Sequence, residues 1–270
     1  MPFPDDDSAT ITRRHLLQSG ASWAGLGALG LSQLAGSPAL AKPDGKAATV
    51  LFMLSDSSTS NNKYDVITQG TGQAFHDENV LHKIDMVTRS TGPILVAYFD
   101  FASPIPSVFK LEERVPMCLL QTSDDARRFG DQIAALPRRL EGYTHTTEAI
   151  VTLYERHMHP LLQARTKIGP TNHPFAGLIG EHTQFVLDLT ADDPPVYGLK
   201  TGTINTTVAT QAALGERVED PNMQAARALL QLWQVTANII VFGGTTGKRA
   251  HPKVRLDRLE GYFRDNFVTP

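Results

Sequence analysis

Three oxygen-bearing side chains, spaced by two, follow the first apolar run after the N-terminal region. Val50–Ser60 reads VLFMLSDSSTS, so the apolar residues lead directly to Asp56, Ser58 and Ser60. A short apolar run that ends in polar residues without helical periodicity is typical of a buried strand followed by a loop. One carboxylate and two hydroxyls suit a hard cation such as Mg²⁺ or Mn²⁺. An ordinary polar strand-to-loop junction can have the same sequence, so the rest of the chain has to decide.

Strands alternate with helices along the remainder of the chain. Buried strands are predicted at Ala47–Leu54, Ile94–Phe99, Gln184–Leu189 and Ala237–Phe242, and a less buried edge strand at Val108–Leu120. Helices are predicted at about Tyr64–Phe75, from a cap at Thr122 to Pro137, at about Thr147–Ala164, from Asp220 to about Val235, and near the end around Tyr262. This order predicts an α/β fold with a doubly wound, mostly parallel sheet, helices on both faces and one antiparallel edge strand.

In such a sheet, ligands bind outside the carboxyl ends of the strands. Asp192 closely follows the strand predicted at Gln184–Leu189. Asp56, Ser58 and Ser60 follow the first predicted strand in the same way. The fold therefore places all four side chains on one rim, which favours the metal-site interpretation.

The N-terminal region has the features of an export signal. Arg13 and Arg14 precede an uncharged segment rich in Gly, Ala and Leu, which is followed by Ala39-Leu40-Ala41, a small-x-small cleavage pattern. The segment is too short and too weakly apolar to predict a stable membrane span. It resembles a twin-arginine export signal, which implies a signal at residues 1–41, a mature domain at residues 42–270, and a periplasmic or secreted protein.

Composition narrows the classes of function. The formal net charge of -3 gives no reason to expect binding to nucleic acid or to an anionic membrane surface. Cys118 is the only cysteine, so no intrachain disulfide can form. With 41% hydrophobic and 20% charged residues, the chain is expected to be globular.

Asp56-x-Ser58-x-Ser60 after the first strand, a threonine before a central helix and an aspartate after a later strand together resemble the metal-ion-dependent adhesion site of von Willebrand factor type A domains. The resemblance implies that Thr144 supplies the second loop of the site and Asp192 the third. Thr146 lies two positions beyond Thr144 and could serve in its place. Next to Thr144, His145 is expected at the rim, where it could contact a partner.

The chain also resembles, more narrowly, an exported bacterial family of unknown function with this fold. The similar stretches cover nearly all of the mature chain. They include Gln69-Gly70, Val96–Phe101, Ala134–Arg138 and Gly261–Arg264.

The resemblance implies a metal-dependent protein-binding module of the cell envelope. The cation, Mg²⁺ or Mn²⁺, would keep one position open for a carboxylate of an unidentified partner protein. This function needs no catalytic residue, and no G-x-S-x-G or H-E-x-x-H string occurs in residues 42–270. Two alternatives stay open: a metal-assisted hydrolase of the envelope, and a scaffold whose metal site has decayed.

Overall fold

The computed structural model describes residues 45–59, 64–105, 108–167, 171–191, 220–241 and 262–268. The predicted export signal at residues 1–41 and two of the predicted ligands, Ser60 and Asp192, lie outside these residues. Within the described ranges, no helix has both the length and the apolar character needed to cross a membrane.

Five strands form one sheet in the described part of the chain. They are β1 (Thr49–Asp56), β2 (Ile94–Ile105), β3 (Val108–Leu120), β4 (Gln184–Ala191) and β5 (Val235–Val241). Their order is β3-β2-β1-β4-β5. Only the β2–β3 pair of this sheet is antiparallel; β1 runs parallel to β2 and β4, and β4 runs parallel to β5. The predicted fold class is confirmed, including the antiparallel strand at the β3 edge.

The α-helices of the described ranges are α1 (Tyr64–Ala74), α2 (Glu78–Ser90), α3 (Ser123–Ala134), α4 (Thr146–Leu153), α5 (His159–Thr166) and α6 (Pro221–Leu232). A π-helical turn, Tyr154–Met158, joins α4 to α5. Helix α2 is absent from the sequence-based prediction, although its signals are clear. Asp77 caps it by accepting hydrogen bonds from Asn79 N–H and Val80 N–H, as expected for an acidic residue before a helix.

Both faces of the sheet are covered, as a largely parallel sheet requires. Alternate residues of β2 enter different cores: Phe99 lies in one and Val96 in the other. The first core contains buried residues of α4, α5 and α6, and the second contains buried residues of α2 and α3. These two cores fix the direction of β1 and therefore the position of the loop that follows it.

Helices α1 and α3 pack backbone to backbone at a pair of glycines. A Cβ atom on Gly72 would lie 2.5 Å from the carbonyl oxygen of Gly130, and one on Gly130 would lie 2.6 Å from that of Gly72. Neither distance is possible for real atoms in contact. The two glycines thus allow α1 to approach α3 closely, which places Tyr64, the first residue of α1, against the loop that leaves α3.

Candidate metal-binding site

The first predicted metal loop begins at the last residue of β1. Asp56 is fully buried, and its Oδ1 accepts a hydrogen bond of 2.8 Å from Ser58 N–H. This bond from a side chain to the main chain two residues later bends the chain out of the strand. Ser57 reinforces the bend, because its N–H and its Oγ both donate to the Phe101 carbonyl of β2, at 3.0 and 3.1 Å.

Thr144 meets this loop from the connection between α3 and α4. Its Oγ1 lies 3.2 Å from Asp56 Oδ2 and 2.9 Å from Ser58 Oγ. All three residues are at most 1% exposed. Thr144 is 88 positions from Asp56 in sequence, so only the fold brings them together. The structure thus brings three of the five predicted ligands into one buried cluster of oxygen atoms.

Hydrogen bonds of the two residues before Thr144 hold it in place beside the first loop. Thr59 N–H donates to the Gly142 carbonyl, and Gly142 N–H donates to Thr59 Oγ1, each at 2.8 Å. Gly142 has φ +122°, a conformation that residues with a Cβ rarely adopt. Tyr143 forms a two-way bridge with Ser103 of β2, with N–H to carbonyl distances of 2.8 and 3.0 Å. Thr144 is the next residue along the chain, so these hydrogen bonds fix its position.

The structure also distinguishes Thr144 from its neighbour Thr146. Thr146 is the first residue of α4 and is fully buried, and its Oγ1 has no hydrogen-bond partner in the described ranges. Thr144 rather than Thr146 contacts the first loop.

The expectation that His145 contacts a partner is wrong, because its side chain is buried. Only 4% of His145 is exposed. Its ring lies 6.0 Å from that of Phe109, and its Nδ1 lies 3.7 Å from Glu148 Oε2. The residue packs under the start of α4 instead of pointing to solvent.

The end of β4 lies beside the first loop, as the prediction of a shared rim requires. Thr190 Oγ1 accepts a 3.3 Å hydrogen bond from Asp56 N–H and donates one of 3.2 Å to Ser55 Oγ. The described part of β4 ends at Ala191, the residue before Asp192. Ser60 and Asp192 themselves stay predictions.

Arg138 is a residue of the site that sequence reasoning missed. Its Nε and Nη2 donate to the Ser57 carbonyl at 3.2 and 2.9 Å, and Nη2 also donates to the Ser58 carbonyl. The guanidinium carbon lies 5.8 Å from the centre of the Tyr64 ring, within the range of a cation–π contact. One side chain thus joins α1 and the segment after α3 to the first loop.

A buried carboxylate anchors these supports. Asp100 of β2 is fully buried, accepts a 2.5 Å hydrogen bond from the Tyr64 hydroxyl and pairs with the Arg114 guanidinium of β3. Arg114 Nη2 donates in turn to the Pro137 carbonyl at 2.6 Å. Burial raises the pKa of Asp100 to about 6, although Tyr64 and Arg114 act in the opposite direction. Burial and the nearby Asp100 carboxylate raise the pKa of Tyr64 well above its ordinary value.

A signal for this anchor exists in the sequence. Asp100 interrupts the apolar run of β2, and a carboxylate in a buried strand needs a charged or hydrogen-bonding partner. The identity of that partner depends on strand register, which is irregular between β2 and β3 near Tyr98.

The donor set decides which metals suit the site. In the described residues, no group of three or more His, Cys, Asp or Glu side chains could hold a metal ion. The cluster of Asp56, Ser58 and Thr144 consists of one carboxylate and two hydroxyls. Oxygen ligands of low total charge fit hard divalent cations such as Mg²⁺ and Mn²⁺ better than soft ones. The residues present therefore fit the cation that the sequence predicts.

No protein-family model matches the chain, and no curated protein sequence matches it. Solved structures are similar at low identity. One is proximal thread matrix protein 1 from the mussel byssus, with a TM-score of 0.44 and 15% identity over 82% of this chain. A second structure of that protein is described as having a zinc-occupied metal-ion-dependent adhesion site, and its TM-score is 0.43 at 15% identity over 82% of this chain. The pilus adhesin SpaC from Lactobacillus rhamnosus GG has a TM-score of 0.44 at 12% identity, again over 82% of this chain.

These similarities cover only part of the other proteins. This chain spans 42% of the mussel protein and 28% of SpaC. At such identities and TM-scores they carry no information about function. The sheet of this chain, with its order β3-β2-β1-β4-β5 and its antiparallel β3 edge, agrees with the von Willebrand factor A-like fold that the sequence resemblance implies.

Proposed function

We propose that this chain is an exported, divalent-metal-dependent protein-binding module. Asp56, Ser58, Ser60, Thr144 and Asp192 would hold Mg²⁺ or Mn²⁺ at the carboxyl rim of the sheet. The observation that carries the proposal is the convergence of Thr144 Oγ1 on Asp56 Oδ2 and Ser58 Oγ, at 3.2 and 2.9 Å. Export rests on the resemblance of residues 1–41 to a twin-arginine export signal.

The cation would supply a Lewis-acidic position for a carboxylate of a partner protein. Two of the three described donors, Ser58 and Thr144, are neutral hydroxyls, so they leave much of the positive charge of a divalent ion uncompensated. The chain's own residues orient these donors: the Asp56 carboxylate fixes the loop through Ser58 N–H, and the Gly142 carbonyl fixes Thr59. Such an arrangement favours binding of an acidic group.

The test compares the metal affinities of variants at two buried threonines that lie two positions apart, Thr144 and Thr146. Thr144→Val removes the hydroxyl that contacts Asp56 and Ser58 while keeping a similar shape. We expect it to weaken Mn²⁺ and Mg²⁺ binding by about tenfold or more, which corresponds to about 1.4 kcal/mol. Thr146→Val is the matched control, because Thr146 is equally buried but makes no hydrogen bond to the loop.

Isothermal titration calorimetry of the full-length chain measures the affinities of wild type and both variants for Mn²⁺ and Mg²⁺. Zn²⁺ is titrated as a further ion. Equal weakening by the two substitutions would contradict the assignment of Thr144. If the wild-type chain binds none of these ions, the scaffold with a decayed site replaces the proposal. The partner is then sought by a pull-down from envelope extract with and without Mg²⁺, in which Thr144→Val should lose any metal-dependent partner.

Turnover of a substrate would distinguish a metal-assisted hydrolase from a protein-binding module. Phosphoester and peptide substrates, assayed with and without Mn²⁺, give no metal-dependent product if the chain is a binding module.

A further inference from the structure

We propose that Arg138 is a positioning residue of the metal site, fixing the main chain of Ser58 before a cation binds. The inference rests on the proposed function and adds a residue outside the predicted ligand set. It starts from the contacts of one guanidinium with two consecutive carbonyls, those of Ser57 and Ser58.

These two carbonyls belong to the peptide groups on either side of Ser58. The peptide group before Ser58 contributes the Ser57 carbonyl, bound by Arg138, and Ser58 N–H, which donates to Asp56 Oδ1 at 2.8 Å. The peptide group after Ser58 contributes the Ser58 carbonyl, also bound by Arg138, and Thr59 N–H, which donates to the Gly142 carbonyl at 2.8 Å. Both peptide planes are therefore held, and with them the direction in which Ser58 presents its hydroxyl to Thr144.

Arg138 is itself held in place. Its guanidinium lies against the ring of Tyr64, whose hydroxyl donates to the buried Asp100 carboxylate. The residue before it is anchored as well, because the Pro137 carbonyl accepts a 2.6 Å hydrogen bond from Arg114, the ion-pair partner of Asp100. A chain of contacts thus runs from a fully buried ion pair to the loop that carries Asp56 and Ser58.

The shape of the arginine side chain matters for this role. Nε and Nη2 donate to the Ser57 carbonyl together, and Nη2 reaches the Ser58 carbonyl as well. A lysine has the same charge but lacks the planar set of donors that can serve several acceptors in fixed directions. Lysine at this position should therefore keep the charge and lose part of the positioning.

Two effects of Arg138 on a bound cation have opposite signs. Its positive charge repels a divalent ion and weakens binding, whereas its hydrogen bonds hold the ligand loop in the binding conformation and strengthen it. Outer residues that orient metal ligands typically change metal affinity by about 10- to 100-fold. Arg138 is half-buried, and solvent screens part of its repulsion of the cation. We therefore expect positioning to dominate.

The experiment measures Mn²⁺ affinity of the full-length chain by calorimetry for wild type, Arg138→Met and Arg138→Lys. Arg138→Met should weaken binding by about tenfold or more, and Arg138→Lys should fall between it and the wild type. Arg139→Met is the matched control, since it removes the same charge from the next, exposed residue and should change affinity by less than about twofold. Urea unfolding in EDTA shows whether each variant remains folded without metal.

The outcomes separate this inference from the proposed function. Weaker Mn²⁺ binding by Arg138→Met than by Arg139→Met, in a variant that is still fully folded in EDTA under the titration conditions, supports positioning, because loss of folded protein then cannot explain the weaker binding. If the wild type binds Mn²⁺ and Arg138→Met binds it equally well or better, the positioning role is overturned while the proposed function stands. If the wild type does not bind Mn²⁺, both are overturned. Should Arg138→Met not fold, a wild-type affinity in Arg138→Lys would overturn the role of the guanidinium fork.

Discussion

Replacing Asp188 with asparagine should stabilise the protein above pH 6 and leave little effect at low pH. Asp188 lies on β4 and is 7% exposed, and Asn238 of β5 donates a 2.7 Å hydrogen bond to its Oδ1. Burial raises the pKa of Asp188 from 3.8 to about 6, although the hydrogen bond from Asn238 acts in the opposite direction. Asparagine can accept the same hydrogen bond without carrying a charge.

The raised pKa of Asp188 sets the sign and the size of the expected change in the free energy of unfolding. Between about pH 4 and about pH 6, the folded protein holds a proton on Asp188 that the unfolded chain has released, so stability falls as pH rises. A shift of about 2 pKa units corresponds to about 3 kcal/mol, which is an upper bound because the folded protein can relax around the charge. The free energy of unfolding of Asp188→Asn relative to wild type should therefore rise by up to about 3 kcal/mol from about pH 4 to about pH 7.5.

Urea unfolding followed by circular dichroism, at both pH values, measures this difference. The pKa of Asp100 is also raised to about 6, but Asp100 titrates in both proteins and cancels in the comparison. Asn238→Ala serves as the converse control. It removes the hydrogen bond that favours the ionised carboxylate, so it should destabilise more at the higher pH. An Asp188→Asn effect of the same size at both pH values would refute the reasoning, since Asp188 would then not titrate between them.

Three further substitutions have expected effects on the free energy of urea unfolding. Gly72→Ala forces a Cβ against the backbone of α3 and should cost about 1–3 kcal/mol, whereas Gly70→Ala in the same helix meets nothing within 4 Å and should stabilise by about 0.5–1 kcal/mol; equal effects would contradict the packing described. Thr122→Ala removes the side chain that caps α3 and should cost about 1 kcal/mol, and no loss would show that the cap is dispensable. Arg114→Met leaves the Asp100 carboxylate without its guanidinium and should cost about 3–5 kcal/mol at neutral pH. That cost should be smaller near pH 5, where Asp100 can take up a proton, and a pH-independent cost would contradict this account.

The sheet and the first loop could be read from the sequence because they depend on local patterns. The run before Asp56 predicts β1 to within a few residues, and the edge strand Val108–Leu120 has its predicted bounds. Strand β2 continues to Ile105 instead of ending at Phe99, because it keeps pairing with β3 beyond the purely apolar run. Tertiary pairing extended this strand beyond what local composition indicated.

The contacts that hold the first loop in place could not be predicted from local sequence patterns. Asp100 and Arg114 form an ion pair although Asp100 stands opposite Glu112 in the ladder, in a stretch where bulges change the register. The contacts of Arg138 with Ser57 and Ser58 join residues about 80 positions apart. Neither has a spacing that sequence periodicity can reveal, because both arise only when separate elements pack.

The central position of β1 has a consequence for the order of folding. Its partner on one side, β2, begins at Ile94, whereas its partner on the other side, β4, begins at Gln184. Asp56 N–H is bonded to Thr190 Oγ1 across 134 positions, and pairing across such a distance is slow because a long loop must close first. During synthesis from the N-terminus, a chain that has not yet reached Ala191 can hold β1 on one side only. The rim that carries Asp56 and Ser58 is therefore completed late, only after β4 has been made.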